Sequence, residues 1–135
     1  MTHRTRAQLI AGLDDFTRSY LEAALWSSSH SDSEGNDLGS FEYLNFDVDD
    51  CSRETLLGAI KDCDAFREEC GEMLAESVPF NTEAHHGHMF WLTRSGHGAG
   101  FWDGAYPKHG RALTAACRPY GGVDLYIHRG RIWGA

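Results

Sequence analysis

Apolar residues recur at three- and four-residue spacing along two long stretches, and each stretch predicts a helix. Over residues 5–26 the stripe is Leu9, Ile10, Leu13, Phe16, Tyr20, Leu21, Ala24 and Leu25, with Thr2 or Thr5 placed to cap it. Over residues 53–76 it is Leu56, Ile60, Cys63, Phe66, Cys70, Met73 and Leu74. Ser52 is a good N-cap there, Glu54 suits the positive end of the helix dipole, and Pro79 closes the region. The outer face of this second helix carries Lys61, Asp62, Asp64, Arg67, Glu68, Glu69 and Glu72, some at ion-pair spacing. A shorter helix is expected over 108–118, with Leu113, Ala116 and Cys117 inward, ended by Pro119 and the Gly121-Gly122 pair.

The remaining pattern reads as strand and loop. Residues 27–40 lack apolar periodicity and are rich in Ser, Gly, Asn and Asp, which predicts a flexible acidic loop. Residues 41–48 alternate loosely and predict a short strand, or an extended segment lying on the core. In residues 88–103, HMFWLTRSGHGAGFWD, two aromatic runs flank a Gly-rich turn, which predicts a β-hairpin. Phe90 and Leu92 would face one way and Met89, Trp91 and Thr93 the other. Residues 123–128 alternate cleanly, Val123, Leu125 and Ile127 against Asp124, Tyr126 and His128. Arg129-Gly130 then turn the chain into a short last strand, Arg131-Ile132-Trp133. The expected fold class is α+β in one domain. A small antiparallel sheet, hairpin 88–103 plus strand 123–128, would pack against two or three helices.

Charge sharpens this picture. The net charge is −8, but residues 1–83 hold 18 acidic and 6 basic side chains, while residues 84–135 hold 2 and 6. The first part is therefore at −12 and the second at +4. Six of the eight histidines fall in the second part. An acidic face repels phosphate, so no direct nucleic-acid binding is expected through it. It suits a partner with a basic surface and speeds encounter with one. The carboxylates placed for this are Asp32, Glu34 and Asp37 in the loop, and Asp47, Asp49 and Asp50 ahead of the second helix.

No run of apolar residues is long enough to span a bilayer, and the N-terminal stretch lacks a signal peptide's apolar run. No membrane role and a cytoplasmic setting are the expectation. Cys51, Cys63, Cys70 and Cys117 form no C-x-x-C and read as reduced, buried thiols.

These residues offer four kinds of chemistry. His85, His86 and His88, with His97 and His109 in reach, would be weak metal candidates if His-x-His lay on a strand. A cysteine with His97 and Asp103 would make a nucleophilic constellation, but the cysteines fit packing positions. Gly96, Gly98 and Gly100 do not match a phosphate-binding fingerprint, although Arg94, His97 and Arg111 make this the better side for an anion. Phe90, Trp91, Phe101 and Trp102 could stack bases, against a stronger claim on them by the core. No catalytic residue and no cofactor follow from the pattern.

Residues 87–103 resemble a segment of small phage- and prophage-encoded proteins. The resemblance rests on Gly87-His88, on Phe90-Trp91-Leu92-Thr93-Arg94, and on Gly96-His97-Gly98-Ala99-Gly100-Phe101-Trp102-Asp103. Met89 stands where that family has Asp, and Ser95 where it has Asn. Leu44-Asn45-Phe46-Asp47-Val48-Asp49-Asp50, Ala112-Leu113-Thr114 and Val123-Asp124-Leu125-Tyr126 are similar to its other parts. The resemblance implies origin in a mobile element, and by analogy an inhibitor of a host macromolecule, including defence systems, as anti-CRISPR proteins are. The expected function is therefore binding and inhibition of a host protein through an acidic surface. The alternatives are a metal-dependent enzyme using His85, His86 and His88, or a structural phage protein. Exposed aromatics would suit a homodimer interface.

Overall fold

The computed structural model describes residues 4–77, 81–97, 99–102 and 104–134. The fold is α+β, dominated by helices, with two separate two-stranded antiparallel sheets. Pro79, Gly98 and Asp103 lie outside the described residues.

The first predicted helix is two. α1 spans Arg6–Ala11 and α2 spans Asp15–Ser27. Thr5 and Gln8 form a capping box on α1, and Gly12 ends it. Asp14 then caps α2 by accepting from Thr17 N at 2.8 Å. The apolar stripe runs on through the break, with Leu9, Phe16, Tyr20, Leu21 and Leu25 all buried. Periodicity alone hid the break because both helices present their apolar sides to the same core.

α3 spans Arg53–Ala75, capped by Ser52, which accepts from Thr55 N at 3.1 Å. Leu56, Cys63, Phe66, Cys70 and Leu74 are buried as the stripe requires. All four cysteines are buried and unbridged.

The expected hairpin over 88–103 is not there. Glu83–Arg94 form helix α4, capped by Thr82, which accepts from His85 N at 3.1 Å. Its buried residues include His86, Gly87, Met89, Phe90, Trp91, Leu92 and Arg94, so the helix is covered on nearly every side and shows no clean stripe. Gly96 takes φ 75°. His97 N donates to Leu92 O at 3.0 Å and Gly96 N to Thr93 O at 3.2 Å. That pair of bonds is the Schellman ending of a helix. The left-handed glycine read as a hairpin turn is thus a helix stop.

Gly87 explains why α4 lies so close to α2. A Cβ at Gly87 would overlap the carbonyl of Phe16. With hydrogen there instead, the two backbones meet, and their facing aromatics interlock. Tyr20 lies 5.4 Å from Trp91 edge to face, and Phe66 of α3 completes the cluster by stacking on Phe90 at 4.2 Å and on Phe101 at 5.7 Å.

Residues 27–40 are not a featureless loop. β1 (Ser29–Ser31) and β2 (Asp37–Ser40) pair antiparallel, with Ser29 opposite Ser40 and Ser31 opposite Asp37. Residues 41–48 are not a strand either. Asn45 takes φ 70°, with Asn45 N donating to Glu42 O and Phe46 N to Phe41 O, the same two-bond ending seen at Gly96. Val48–Asp50 follow as one 3₁₀ turn.

α5 spans Gly110–Cys117, with Leu113 and Cys117 buried, and runs into a 3₁₀ turn at Arg118–Tyr120. In 123–128 only Tyr126–His128 are paired, as β3, and their partner is β4, Arg131–Trp133. Arg129 and Gly130 both have positive φ, as a tight two-residue hairpin turn demands. This hairpin is tied to α3 through Ile132, whose carbonyl accepts from Ser52 N at 2.9 Å and Thr55 Oγ1 at 3.1 Å. No helix among the described residues is long and apolar enough to cross a membrane.

Candidate functional site

The acidic half of the chain gathers a groove between α2 and the 41–50 segment. It encloses about 250 Å³ and is lined by Arg18, Glu22, Leu25, Glu42, Phe46, Asp47, Val48 and Asp49. Two features of local folding bring these together. Glu42 N donates to Leu25 O at 3.2 Å, pinning the turn to the end of α2. The 3₁₀ turn then presents Asp47 and Asp49 on the same side. Leu25, Phe46 and Val48 give the groove apolar surface, while, among the described residues, four carboxylates stand against the single cation Arg18. Arg18 Nη2 donates to Ile10 O at 3.3 Å.

The six carboxylates expected to bind a partner divide by what they already hold. Asp47 accepts from Asp49 N at 2.9 Å, and Asp50 from Asp47 N at 2.9 Å, so both shape the 3₁₀ turn. Asp49 and Glu42 carry their charge on exposed side chains. Asp32 accepts from Glu34 N and Asn36 N, both at 2.9 Å, and from Asn36 Nδ2 at 3.1 Å. The bonds from Asn36, first its backbone and then its side chain, hold the Asp32 carboxyl below the usual range. Asp37 accepts from Gly39 N at 2.8 Å. Glu34 is exposed at the hairpin turn. Asp32, Glu34 and Asp37 therefore sit on the β1–β2 hairpin and do not line the groove, whereas Asp47 and Asp49 do.

Sequence reasoning missed Glu22 and Glu42. Glu22 sits on the polar side of α2, where its charge reads as solvation, and Glu42 lies in a segment expected to be a strand. It also missed three exposed apolar side chains from the same stretch of chain: Trp26 (53% exposed), Leu38 (42%) and Tyr43 (77%). The Tyr43 ring lies over Gly39, where a Cβ would come within 2.7 Å of it. Groove carboxylates beside an exposed aromatic form a surface suited to contact with a macromolecule.

The histidines do not assemble a metal site of the kind envisaged. His85, His86 and His88 lie on a helix, where His-x-His no longer shares a face. Among the described residues, no three His, Cys, Asp or Glu side chains converge as a ligand set. His86 Nδ1 is 2.7 Å from the Tyr106 hydroxyl, and His85 stacks on the Tyr106 ring at 5.7 Å. His88 packs near Trp26 at 5.8 Å. Burial pushes the His86 imidazole down to about 4, with His85 adding to the effect.

The cysteines are equally unsuited to nucleophilic chemistry. Burial pushes the thiols of Cys51 and Cys117 up to about 12 and that of Cys70 to about 11, and raises Cys63 as well.

Arg94, expected on an anion-binding side, is buried instead. Its guanidinium donates to Asp62 Oδ2 at 2.6 Å, Tyr20 Oη at 3.0 Å, Gly121 O at 2.9 Å and Tyr120 O at 2.8 Å. Its centre lies 5.4 Å from the Tyr120 ring centroid and 5.8 Å from that of Phe90. All of this ties α2, α3, α4 and the 118–121 turn together, and the charge is spent on architecture. Phe90, Trp91 and Phe101 are core, while Trp102 is exposed.

Compared with known proteins, the chain matches no family model, no curated protein and no solved structure.

Proposed function

We propose that this protein is a non-enzymatic binder that engages a positively charged surface of a macromolecular partner through the groove between α2 and residues 41–50. The single observation that carries this reading is the grouping of Glu22, Glu42, Asp47 and Asp49 around an apolar floor, with Arg18 the one cation lining it among the described residues. Lys and Arg side chains fit such a groove well, because their methylene stems can lie along Leu25, Phe46 and Val48 while the charged heads reach the rim. The β1–β2 hairpin, with Asp32, Glu34, Asp37 and the exposed Leu38, would extend the contact. Together with the resemblance at residues 87–103, this favours a mobile-element protein that occupies a basic site on a host macromolecule and so inhibits it.

The test is capture of a partner from host lysate at low salt, followed by measurement of its affinity for the purified protein. Glu22→Gln, Glu42→Gln and Asp49→Asn together remove charge without touching the turn-forming carboxylates Asp32, Asp37, Asp47 and Asp50. Affinity should fall at least about tenfold in this variant and weaken steeply as salt rises from about 0.05 to 0.3 M. A partner bound equally well by the variant, or with no salt dependence, would sink the proposal.

A further inference from the structure

A second cleft lies on the basic half of the chain, between Phe101, Trp102 and residues 104–109 on one side and α5 on the other. It is open to solvent, has a volume of about 660 Å³ and is lined by, among others, Trp102, Pro107, Lys108, Arg111, Thr114 and Arg118. Small-molecule sites fall in a range of about 300–1,000 Å³. Among the described residues, no carboxylate lines it. We propose that this cleft binds a nucleoside diphosphate, with Arg111 and Arg118 on the phosphates and Trp102 against the base.

The helix sets the cations. Arg111, Thr114 and Arg118 recur at three- and four-residue spacing through α5 and its 3₁₀ extension, so they share one face. Arg111 and Arg118 are about 10 Å apart along the axis. Their long stems allow convergence on charge spread over two adjacent phosphates, and the guanidinium fork matches phosphate oxygens. Lys108 differs from them. Its ammonium already lies 2.6 Å from Glu76 Oε2, and His109 Nε2 is 3.1 Å from Oε1 of the same carboxylate. Neither Arg111 nor Arg118 makes an ion pair with any described residue. In a chain of net charge −8, two arginines on one helix face without a carboxylate partner among the described residues are a specific feature.

The loop sets the aromatic. Phe101 O rests against Gly110, where a Cβ would come within 2.5 Å of it, so the loop closes directly onto the start of α5. Phe101 N donates to Thr93 Oγ1 at 3.1 Å, fixing the same loop to α4. Phe101 and Tyr106 turn into the core, whereas Trp102 stays 45% exposed with its ring edge near Gly100. A tryptophan held at the mouth of a cationic cleft offers a flat face to a base, and stacking adds to phosphate attraction without requiring sequence readout.

The same phosphate-and-base chemistry occurs in a free nucleotide and in a single strand, and titration calorimetry on the full chain at low salt separates them. ADP should bind at least about fivefold more tightly than pyrophosphate. Trp102→Ala should abolish that difference and leave pyrophosphate binding unchanged. Arg111→Gln with Arg118→Gln should weaken both ligands at least about tenfold. Arg118→Lys, which keeps the charge, should retain most of the pyrophosphate affinity. No ADP binding, equal affinity for ADP and pyrophosphate, or an affinity indifferent to the arginine pair would each overturn the proposal. Binding of a short oligothymidylate more than about tenfold tighter than ADP, lost in the same variants, would overturn the free nucleotide in favour of a strand.

Discussion

Arg94 and Asp62 form a 2.6 Å ion pair in which the arginine side chain is 3% exposed and the carboxylate 25%. The pair joins α4 to α3 at the point where Tyr20 Oη of α2 also accepts from the Arg94 guanidinium at 3.0 Å. Replacing Arg94 by Ala would strand the Tyr120 and Gly121 carbonyls as well as Asp62, and should lower unfolding free energy by about 3–5 kcal/mol. Asp62→Asn should cost less, about 1–2 kcal/mol, because that carboxylate still meets water and the carbonyl bonds remain. Urea unfolding of both variants checks the order. An Arg94→Ala protein as stable as the parent would show that the guanidinium network contributes nothing net.

Two glycines inside helices should respond to alanine in opposite directions. At Gly87 the added methyl meets the Phe16 backbone carbonyl, which cannot rotate away. Gly87→Ala should therefore destabilise by about 2–3 kcal/mol even though alanine is the better helix former. At Gly71 in α3 a methyl meets nothing within 4 Å. Gly71→Ala should raise stability by about 0.5–1 kcal/mol. Thermal unfolding monitored by circular dichroism distinguishes the two signs.

Acid should weaken the fold before its carboxylates titrate. Burial, with a smaller contribution from His85, lowers His86 from its usual 6.5 to about 4 in the folded chain, where it meets the Tyr106 hydroxyl. Above pH 6.5 both folded and unfolded forms hold His86 neutral, and the fold has its full stability. As the pH falls through 6.5 the unfolded chain takes up a proton that the folded chain does not, so stability drops until about pH 4. Between pH 7 and pH 5 the loss should be about 2 kcal/mol. His88, also lowered, first by burial and then by His85, acts in the same direction. Urea midpoints across this window should slope clearly in the parent and much less in His86→Gln. Equal slopes would remove His86 as the cause.

Legibility in the sequence followed how one-sided each element is. α3 was readable because it is long, capped by Ser52, and divides cleanly into a buried stripe and a charged face. The β3–β4 turn was readable because Arg129-Gly130 follows a strict alternation. α4 was misread because burial on nearly all sides erases the 3.6-residue rhythm, and aromatics beside glycines imitate a hairpin. Thr82 and Glu83 did carry a helix-start signal, outweighed by the aromatic run that follows. At the acidic groove, Asp47 and Asp49 could be picked out from local charge, whereas Glu22 joins them from 25 residues earlier in the chain.

By itself, the sequence determined the α+β character, the buried, unbridged thiols and the separation of acidic from basic halves. These follow from local periodicity and composition, which need no knowledge of neighbours. Tertiary structure alone decided which charges are used up and which face solvent. Arg94 and Arg111 look alike along the chain. One is enclosed by Asp62, Tyr20 and two carbonyls, and the other opens onto a cleft beside Trp102. The difference arises because side chains are desolvated by segments distant in sequence, and only the packed fold brings those segments together.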